Sequence, residues 1–396
     1  MFVFFFIKKD LKKISHKRIL IYDRHSIPFL KKIVDPKKCE ILSTRFAINH
    51  SANKNLNESI NLRILLRCFF KFKFARKYYI EEYINFLKPK IVITAVDNDL
   101  FFYQLKKKFN TTIFISIQTS LRSALNDLFS DIHNLILNHS KCDYSFVYND
   151  YIGKFYKKFL GTTPISIGSV RSNCERIINK KKRISLLYVS TYKGLKNNLL
   201  FIDKKKIIPF YKEAKTIKKN LYRSDIIKNE IKLLKNLNQF LKKNNKLSLT
   251  ILGCRDNKLE KQFYENILIN TKFNFISRTE NRNTFKIIDD SEVIINIDSS
   301  VGYESIARGS KVAFFSIRGL RYPFNTSFFC WPRKIKQKGF FWTDAYSFNE
   351  LNRVLKNTLN ISNANYKLKI KKNFKSLLKY NYNNVRIKNF IDQKIH

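Results

Sequence analysis

Glycine is scarce in this chain. There are nine in 396 residues, with seven prolines, two tryptophans and a single methionine. Acidic residues are few as well: 30 Asp and Glu stand against 77 Lys and Arg, for a formal net charge of +47. Such a field favours polyanions, either nucleic acid or the anionic face of a membrane. No apolar run approaches the ~20 residues a membrane-crossing helix needs. The opening MFVFFFIKKDLKK turns basic after seven apolar residues, and its charge follows the apolar run instead of preceding it as in a secretory signal. A first strand or an interfacial foothold is expected there. The six cysteines are scattered without any CxxC spacing, which argues against a metal or disulfide framework and for reduced thiols in a cytoplasm.

What is present is ample for packed cores. At 44% hydrophobic and 15% aromatic residues the chain is not a disordered one, and its length favours two domains. Lysine, Ile, Asn, Phe and Tyr are abundant. All five are residues of AT-rich codons, so coding drift is one source of the positive charge. The lysines are spread along the chain, whereas a nucleic-acid module concentrates charge on one face, and a membrane surface is therefore preferred over nucleic acid.

Two series of short apolar runs stand out. RILIYDR (18–24), EILSTRF (40–46), KIVITAVD (90–97), TIFISIQ (112–118), YSFVYND (144–150) and PISIGSV (164–170) form the first. ISLLYVST (184–191), LSLTILG (247–253), FNFISR (273–278), VIINIDSS (293–300) and KVAFFSI (311–317) form the second. Nearly continuous apolar runs separated by amphipathic stretches predict parallel strands buried on both faces. The expected fold is α/β: a Rossmann-like domain over 1–175, a second over 184–345, and C-terminal helices over 346–396. The polar, basic 171–183 is the expected linker. Two such domains would face each other across a cleft, with ligands bound outside the carboxyl ends of the strands.

One stretch, IINIDSSVGYESIARGSKVAFFSI (294–317), sets a strand, a Ser-Ser-x-Gly turn, a short helix and another strand in 24 residues. A helix starting at that turn offers free N–H groups and a positive dipole end to an anion such as a diphosphate. Ser299 and Ser300 add hydroxyl donors, Gly302 permits close backbone approach, and Glu304, placed in the first turn, can accept hydrogen bonds from ribose or sugar hydroxyls. The plainer alternative is a capped helix, with Ser299 or Ser300 as cap and Glu304 complementing the dipole.

The S-x-G-Y-E-x-x-A-R-G-x-K-V pattern from Ser300 through Val312 resembles the donor-site segment of glycosyltransferases with the two-Rossmann GT-B architecture. It is particularly similar to bacterial surface-carbohydrate and O-antigen biosynthesis proteins. DRHSIPFLKKI, YIEEYINFLKPKIVITAVDND, IFISIQTSLR and DYSFVYNDYIGKFYKKFLG extend the resemblance over most of the chain. One departure is Gln118-Thr119-Ser120, where that group often reads I-Q-N-G. The resemblance implies transfer of a sugar from a nucleotide-activated donor, without a cofactor. Ser299, Ser300 and Gly302 would lie near the phosphates and Glu304 near the sugar or ribose, with Arg278 and Lys193 balancing diphosphate charge. Gln118 and Gly168, at the ends of the fourth and sixth runs, are assigned to the acceptor side or cleft.

A transferase of this kind needs a base to take the acceptor's proton. Asp23 and His25 follow the first strand of the first domain, and Asp97 ends another. The Asp97-Asn98-Asp99 triplet has DxD spacing but falls in the acceptor half, so no metal is expected. The leading reading is a glycosyltransferase of surface-polysaccharide assembly, cytoplasmic and peripheral on the inner face of the membrane, working on a lipid-linked or saccharide acceptor. A CDP-polyol phosphotransferase or a sugar-nucleotide epimerase suits the same architecture. A charge-driven nucleic-acid binder is the non-enzyme alternative, for which RCFFKFKFARKYY (67–79) would supply basic and stacking groups.

Overall fold

Every apolar run of the two series contains a strand in the computed structural model. The structure describes residues 9–11, 14–44, 59–122, 128–129, 140–178, 182–192, 217–254, 258–279, 283–297, 299–317, 330, 335–374 and 379–395. Lys193 and most of the apolar opening segment lie outside them. The chain forms two compact units: 1–120, 126–176 and 379–396 in the first, 121–125 and 177–378 in the second.

In the first unit the elements run β1 (Lys9–Asp10), β2 (Ile19–Tyr22), α1 (Ile27–Leu30), β3 (Cys39–Leu42), β4 (Ile60–Asn61), α2 (Leu62–Phe70), α3 (Arg76–Leu87), β5 (Ile91–Thr94), α4 (Leu100–Leu105), β6 (Ile113–Ile117), β7 (Tyr144–Val147), α5 (Asp150–Leu160), β8 (Thr163–Ser166) and α6 (Val170–Asn173). Six strands pair in parallel in the order β3-β2-β5-β6-β7-β8, and β1 with β4 makes a separate two-stranded patch. Leu20, Ile21 and Tyr22 are wholly buried, as are Ile91, Val92 and Ile93, which is what a doubly covered parallel sheet requires of its side chains.

The second unit continues with β9 (Ile184–Val189), α7 (Ile217–Lys243), β10 (Leu249–Leu252), α8 (Lys258–Glu265), β11 (Phe273–Ile276), α9 (Thr284–Asp289), β12 (Ser291–Asn296), α10 (Ser300–Ala307), β13 (Lys311–Phe315), β14 (Trp342–Thr343), α11 (Phe348–Asn360) and α12 (Asn363–Phe374). Its sheet order is β11-β10-β9-β12-β13-β14, again all parallel. Counted within the sheet that is 3-2-1-4-5-6, the Rossmann order, with the change of winding direction between β9 and β12. In the first unit the corresponding change falls between β2 and β5. Tyr366 on α12 clamps β13: its buried hydroxyl accepts from the Val312 N–H at 2.9 Å and donates to the Val312 carbonyl at 3.0 Å.

The C-terminal segment, expected as one helical tail over 346–396, is divided by the structure. Leu351, Val354 and Leu355 of α11 join the second unit's core. The last helix, α13 (Val385–Ile395), belongs to the first unit, where Ile387 and Ile391 pack with β2, β5 and β6 residues. Arg18 and Lys90 both donate to the Ile395 carbonyl, at 2.9 and 2.8 Å, setting cations at a helix C-terminus as its dipole favours. Among the described residues no helix is long and apolar enough to cross a membrane.

Among the described helix endings two left-handed positions depart from glycine: Lys88 at the end of α3, φ 50°, and a residue after α2. α5 stops at Gly161 in the left-handed region, φ 56°, as helices commonly do. α2 ends by the same kind of loop, with Lys73 N–H bonded to the Cys68 carbonyl and Phe72 N–H to the Phe69 carbonyl, both 2.9 Å. Here the left-handed position is taken by Phe72, at φ 54°. A side chain with a Cβ costs roughly 1–2 kcal/mol in that conformation.

The boundary between the units falls between Arg176 and Ile177, inside the basic stretch. Trypsin is therefore expected to cut first between Arg176 and Arg183. Because 379–396 belongs to the first unit, the two fragments should co-elute in native gel filtration and part only in denaturant. Early cuts within either six-stranded sheet, or fragments that separate without denaturant, would contradict this division.

Candidate functional site

Within each unit the parallel strands place their carboxyl ends along one edge of that unit's sheet, and polar residues gather where its winding reverses. In the first unit this point lies between β2 and β5. Asp23, directly after β2, is fully buried at φ 75° and caps the following 3-10 turn. Its Oδ1 accepts from both the His25 backbone N–H and the His25 Nδ1, each at 2.8 Å. With a carboxylate on Nδ1, the imidazole is oriented and Nε2 carries the lone pair, the arrangement a general base needs. The His25 side chain keeps 17% of its surface exposed. Ser26 stitches the two strand ends together, donating to the Tyr22 carbonyl at 3.2 Å and accepting from Ala95 N–H at 2.8 Å.

Asp97 is also at this edge, but its environment is different. It is completely buried, takes a short hydrogen bond from the Tyr156 hydroxyl, and accepts from Thr119 N–H at 3.4 Å. A carboxylate so enclosed holds α5 and the β6 turn against β5. Asp99 caps α4 through Phe101 N–H at 3.0 Å and accepts from the Tyr22 hydroxyl at 3.0 Å.

Two other expected site residues in this unit have structural partners. Gln118 uses both ends of its amide internally: Oε1 accepts from Tyr148 N–H and Nε2 donates to the Ser120 carbonyl, both 2.9 Å. It is a buried clamp between β6 and β7. Gly168 has φ 79°, and a Cβ there would lie 1.8 Å from the Lys379 carbonyl oxygen. The missing side chain leaves room for the returning C-terminal segment.

In the second unit the corresponding point lies between β9 and β12. Ser299 caps α10, its hydroxyl accepting from Val301 N–H at 3.3 Å. Ser300 opens the helix half-buried, and its hydroxyl has no partner among the described residues. Asn296, the last residue of β12, is fully buried and donates to the Ser299 carbonyl at 3.1 Å, which fixes the turn. Its Oδ1 has no hydrogen-bond partner among the described residues, and neither do the buried hydroxyls of Thr191, just after β9, and Ser316, just after β13. Three adjacent strands thus end in buried polar atoms without partners, near the N-terminus of α10, whose Val301 and Gly302 N–H groups are taken by the Ser299 hydroxyl and carbonyl at 3.3 and 3.2 Å.

The roles within the motif shift accordingly. A Cβ on Gly302 would come 2.5 Å from Asn296 Cγ and 2.8 Å from Phe314 Cε1, so this glycine seats the helix on the sheet. Glu304 lies in the second turn of α10, not the first, and is fully buried. Arg278 is exposed on the far side of the sheet, donating to the Cys254 carbonyl at 3.3 Å. Its strand is three places from β12, about 14 Å by strand spacing, so the structure does not bring it to α10.

Arg308 of the motif escaped functional reading in the sequence. Its side chain is wholly buried and forms a bidentate pair with Asp289 of α9, Nε–Oδ1 2.9 Å and Nη2–Oδ2 2.5 Å, over the Phe285 ring. Asp289 also accepts from Ile178 N–H at 3.1 Å. A second network, Glu260 with Ser190 (2.5 Å), Cys254 N–H (2.9 Å) and through Ser190 the Tyr264 hydroxyl (2.7 Å), braces the β9 and β10 ends. No sequence pattern announces either one; only the tertiary fold pairs them. Among the described residues no group of His, Cys, Asp and Glu is placed to hold a metal ion. Burial pushes the thiols of Cys39, Cys68 and Cys142 up to about 11, which leaves them protonated near neutral pH and unsuited to nucleophilic work.

Comparison with known proteins agrees with this geometry. Residues 113–395 match a family model described as "putative O-antigen biosynthesis protein". No curated protein matches the chain by sequence. Among solved structures, the UDP-GlcNAc 2-epimerase of Neisseria meningitidis bound to UDP-GlcNAc is similar at TM-score 0.52 and 10% identity, over 95% of this chain and 98% of that one. MurG of Acinetobacter baumannii is similar at TM-score 0.51 and 12% identity, over 95% and 99%. MnaA of S. aureus with UDP is similar at TM-score 0.50 and 13% identity, over 95% of each chain. At such identities the likeness is one of fold: two Rossmann-like domains of GT-B type.

Arg308→Ala should strip a buried charge pair of one partner and cost about 3–5 kcal/mol of stability, read from urea unfolding. A loss below about 1 kcal/mol, the range of surface ion pairs, would show that the pair does not brace α10.

Proposed function

The chain belongs to the O-antigen biosynthesis protein family matched by residues 113–395, and from that premise we propose that it transfers a sugar from a nucleotide-activated donor to a lipid-linked acceptor at the inner face of the cytoplasmic membrane. The observation that carries this reading is the edge between β9, β12 and β13, where unpartnered Asn296, Thr191 and Ser316 atoms lie at the strand ends that lead to the Ser299-capped N-terminus of α10. A diphosphate would take the Ser300 hydroxyl and replace Ser299 on the Val301 N–H, and the helix dipole would stabilise it as a leaving group. UDP in MnaA and UDP-GlcNAc in the Neisseria epimerase are ligands of this class held by proteins of the same fold.

In the transfer itself, the acceptor hydroxyl oxygen attacks the anomeric carbon as that carbon's bond to the diphosphate breaks. The hydroxyl proton passes to His25 Nε2, while Asp23 holds the ring and stabilises the imidazolium that forms. Glu304 acts from beneath the turn on the donor's hydroxyls, and no metal or further cofactor enters the reading.

Calorimetry against UDP-, GDP-, CDP-, CMP- and dTDP-linked species tests the donor assignment, and at least one should bind. Glu304→Gln should then weaken that species about tenfold, the difference between a charge-assisted and a neutral hydrogen bond, with little change in urea stability. Lowered stability at unchanged affinity would make Glu304 a purely structural residue. His25→Ala and Asp23→Asn should lower the transfer rate by about 10²–10⁴ while sparing donor affinity. Conversion of the sugar nucleotide without any acceptor would instead make the protein an epimerase, and transfer of a polyol phosphate from a CDP carrier a phosphotransferase.

A further inference from the structure

Outside the two strand-end sites, one surface is built against ordinary folding logic. Residues 69–77, from the last turn of α2 into α3, are exposed without interruption. They read Phe-Phe-Lys-Phe-Lys-Phe-Ala-Arg-Lys. Phe69, Phe70 and Phe72 are 58%, 76% and 83% exposed, flanked by Leu66 and Phe74. Phe72 is the residue held left-handed where a helix ending ordinarily takes glycine. An aromatic ring that is both strained and displayed to water has no folded-state reason to be there.

The corner is nonetheless rigidly mounted. Arg67 and Lys71 both reach Glu82 of α3 at 2.7 Å. Burial raises the Glu82 pKa, but the hydrogen bonds from Lys71 and Arg67 outweigh it and hold the carboxyl below its ordinary value. Phe69 packs edge-on to Phe70 and Phe74, with ring centroids 6.1 and 5.8 Å apart. Lys73 and Lys77 sit over the Tyr78 ring, at 5.6 and 4.8 Å, so their charge stays at the same corner as the phenylalanines.

We propose that this α2–α3 corner is the surface by which the protein docks on an anionic lipid bilayer, Phe70 and Phe72 entering the interface while Lys73, Arg76 and Lys77 meet the headgroups. Charge complementarity selects this occupant: apolar rings interleaved with cations match the apolar-beneath-anionic layering of a membrane surface, and the chain as a whole carries +47. The proposal rests on the membrane-face reading above, for which it names the contact, but it does not depend on the donor chemistry. The left-handed Phe72 then becomes intelligible as a ring held at the apex by the backbone itself.

Flotation of the full chain with phosphatidylglycerol–phosphatidylcholine vesicles, compared with pure phosphatidylcholine, tests it. Binding should favour the anionic vesicles and fall in 0.5 M salt. Phe72→Gly should reduce binding while leaving the thermal midpoint equal or higher, because glycine relieves the backbone. Phe70→Asn with Phe72→Asn should cut the partition coefficient at least tenfold, and Lys73→Gln with Lys77→Gln by about fivefold per charge. Nucleotide affinity measured without vesicles should be the same in all these variants, which separates failure of the docking surface from failure of the transferase reading. Unchanged flotation in the phenylalanine variants overturns the proposal. So does equal binding to neutral vesicles, a dimer abolished by the same substitutions, or nucleic-acid binding that they remove.

Discussion

Parallel strand pairing, with both faces of each sheet covered, is the constraint on which the rest of this molecule depends. A strand such as Leu186-Leu187-Tyr188 that is wholly buried can carry no unpartnered polar group along its length, since each would cost the free energy of its lost hydration. Polarity is pushed to the first residues beyond the sheet. Because all the paired strands of a sheet run the same way, those residues emerge along one edge: Asp23, Gln118 and Tyr148 in the first unit, Ser190 and Ser316 in the second. The site is a consequence of the topology before it is a matter of any one side chain.

The two edges resolve their polarity differently. In the first unit several groups are satisfied from within: Ser26 ties β2 to β5, Gln118 ties β6 to β7, and Tyr156 occupies Asp97, while the buried Thr44 and Ser166 hydroxyls have no partner among the described residues. The result is a stiff frame from which the half-buried His25 ring projects with one nitrogen oriented by Asp23. In the second unit Thr191, Asn296 and Ser316 keep buried atoms without partners among the described residues. Each such atom costs roughly 1–3 kcal/mol, and three side by side are tolerable where a bound group completes them. What distinguishes the second edge is that its three unpartnered atoms fall on the neighbouring strands β9, β12 and β13.

Most of the fold was legible in the sequence because a doubly buried strand leaves a near-continuous apolar run, and the helices between leave amphipathic ones. Strand order follows from that alternation and from right-handed crossovers. The tail was not legible. The 3.6-residue pattern of 348–395 says that helices exist there, yet nothing in it says that Ile387 and Ile391 return to a core built from residues 19–117. The packing of Gly168 is hidden for the same reason: its left-handed backbone answers to Lys379, more than 200 positions away. Within the motif, spacing located the Ser299 cap and the helix start, but could not tell that Gly302 seats α10 on Asn296 or that Arg308 turns inward to Asp289.

A residue type at a motif position therefore has two possible masters, the ligand and the packing, and local rules separate them only where one is broken. Gly302 and Arg308 break none: each is explained by neighbours it touches. Asn296 breaks the rule that buried polar atoms are paired, and Phe72 breaks the rule that left-handed helix endings take glycine. Natural chains agree with themselves at every level except where function demands otherwise. Lys88 at the end of α3 breaks the same rule as Phe72, and Thr44 and Ser166 the same rule as Asn296, so a broken rule points beyond packing only where further observations gather beside it. At Asn296 these are Thr191 and Ser316 on the two neighbouring strands, and at Phe72 they are the exposed rings and cations of 69–77.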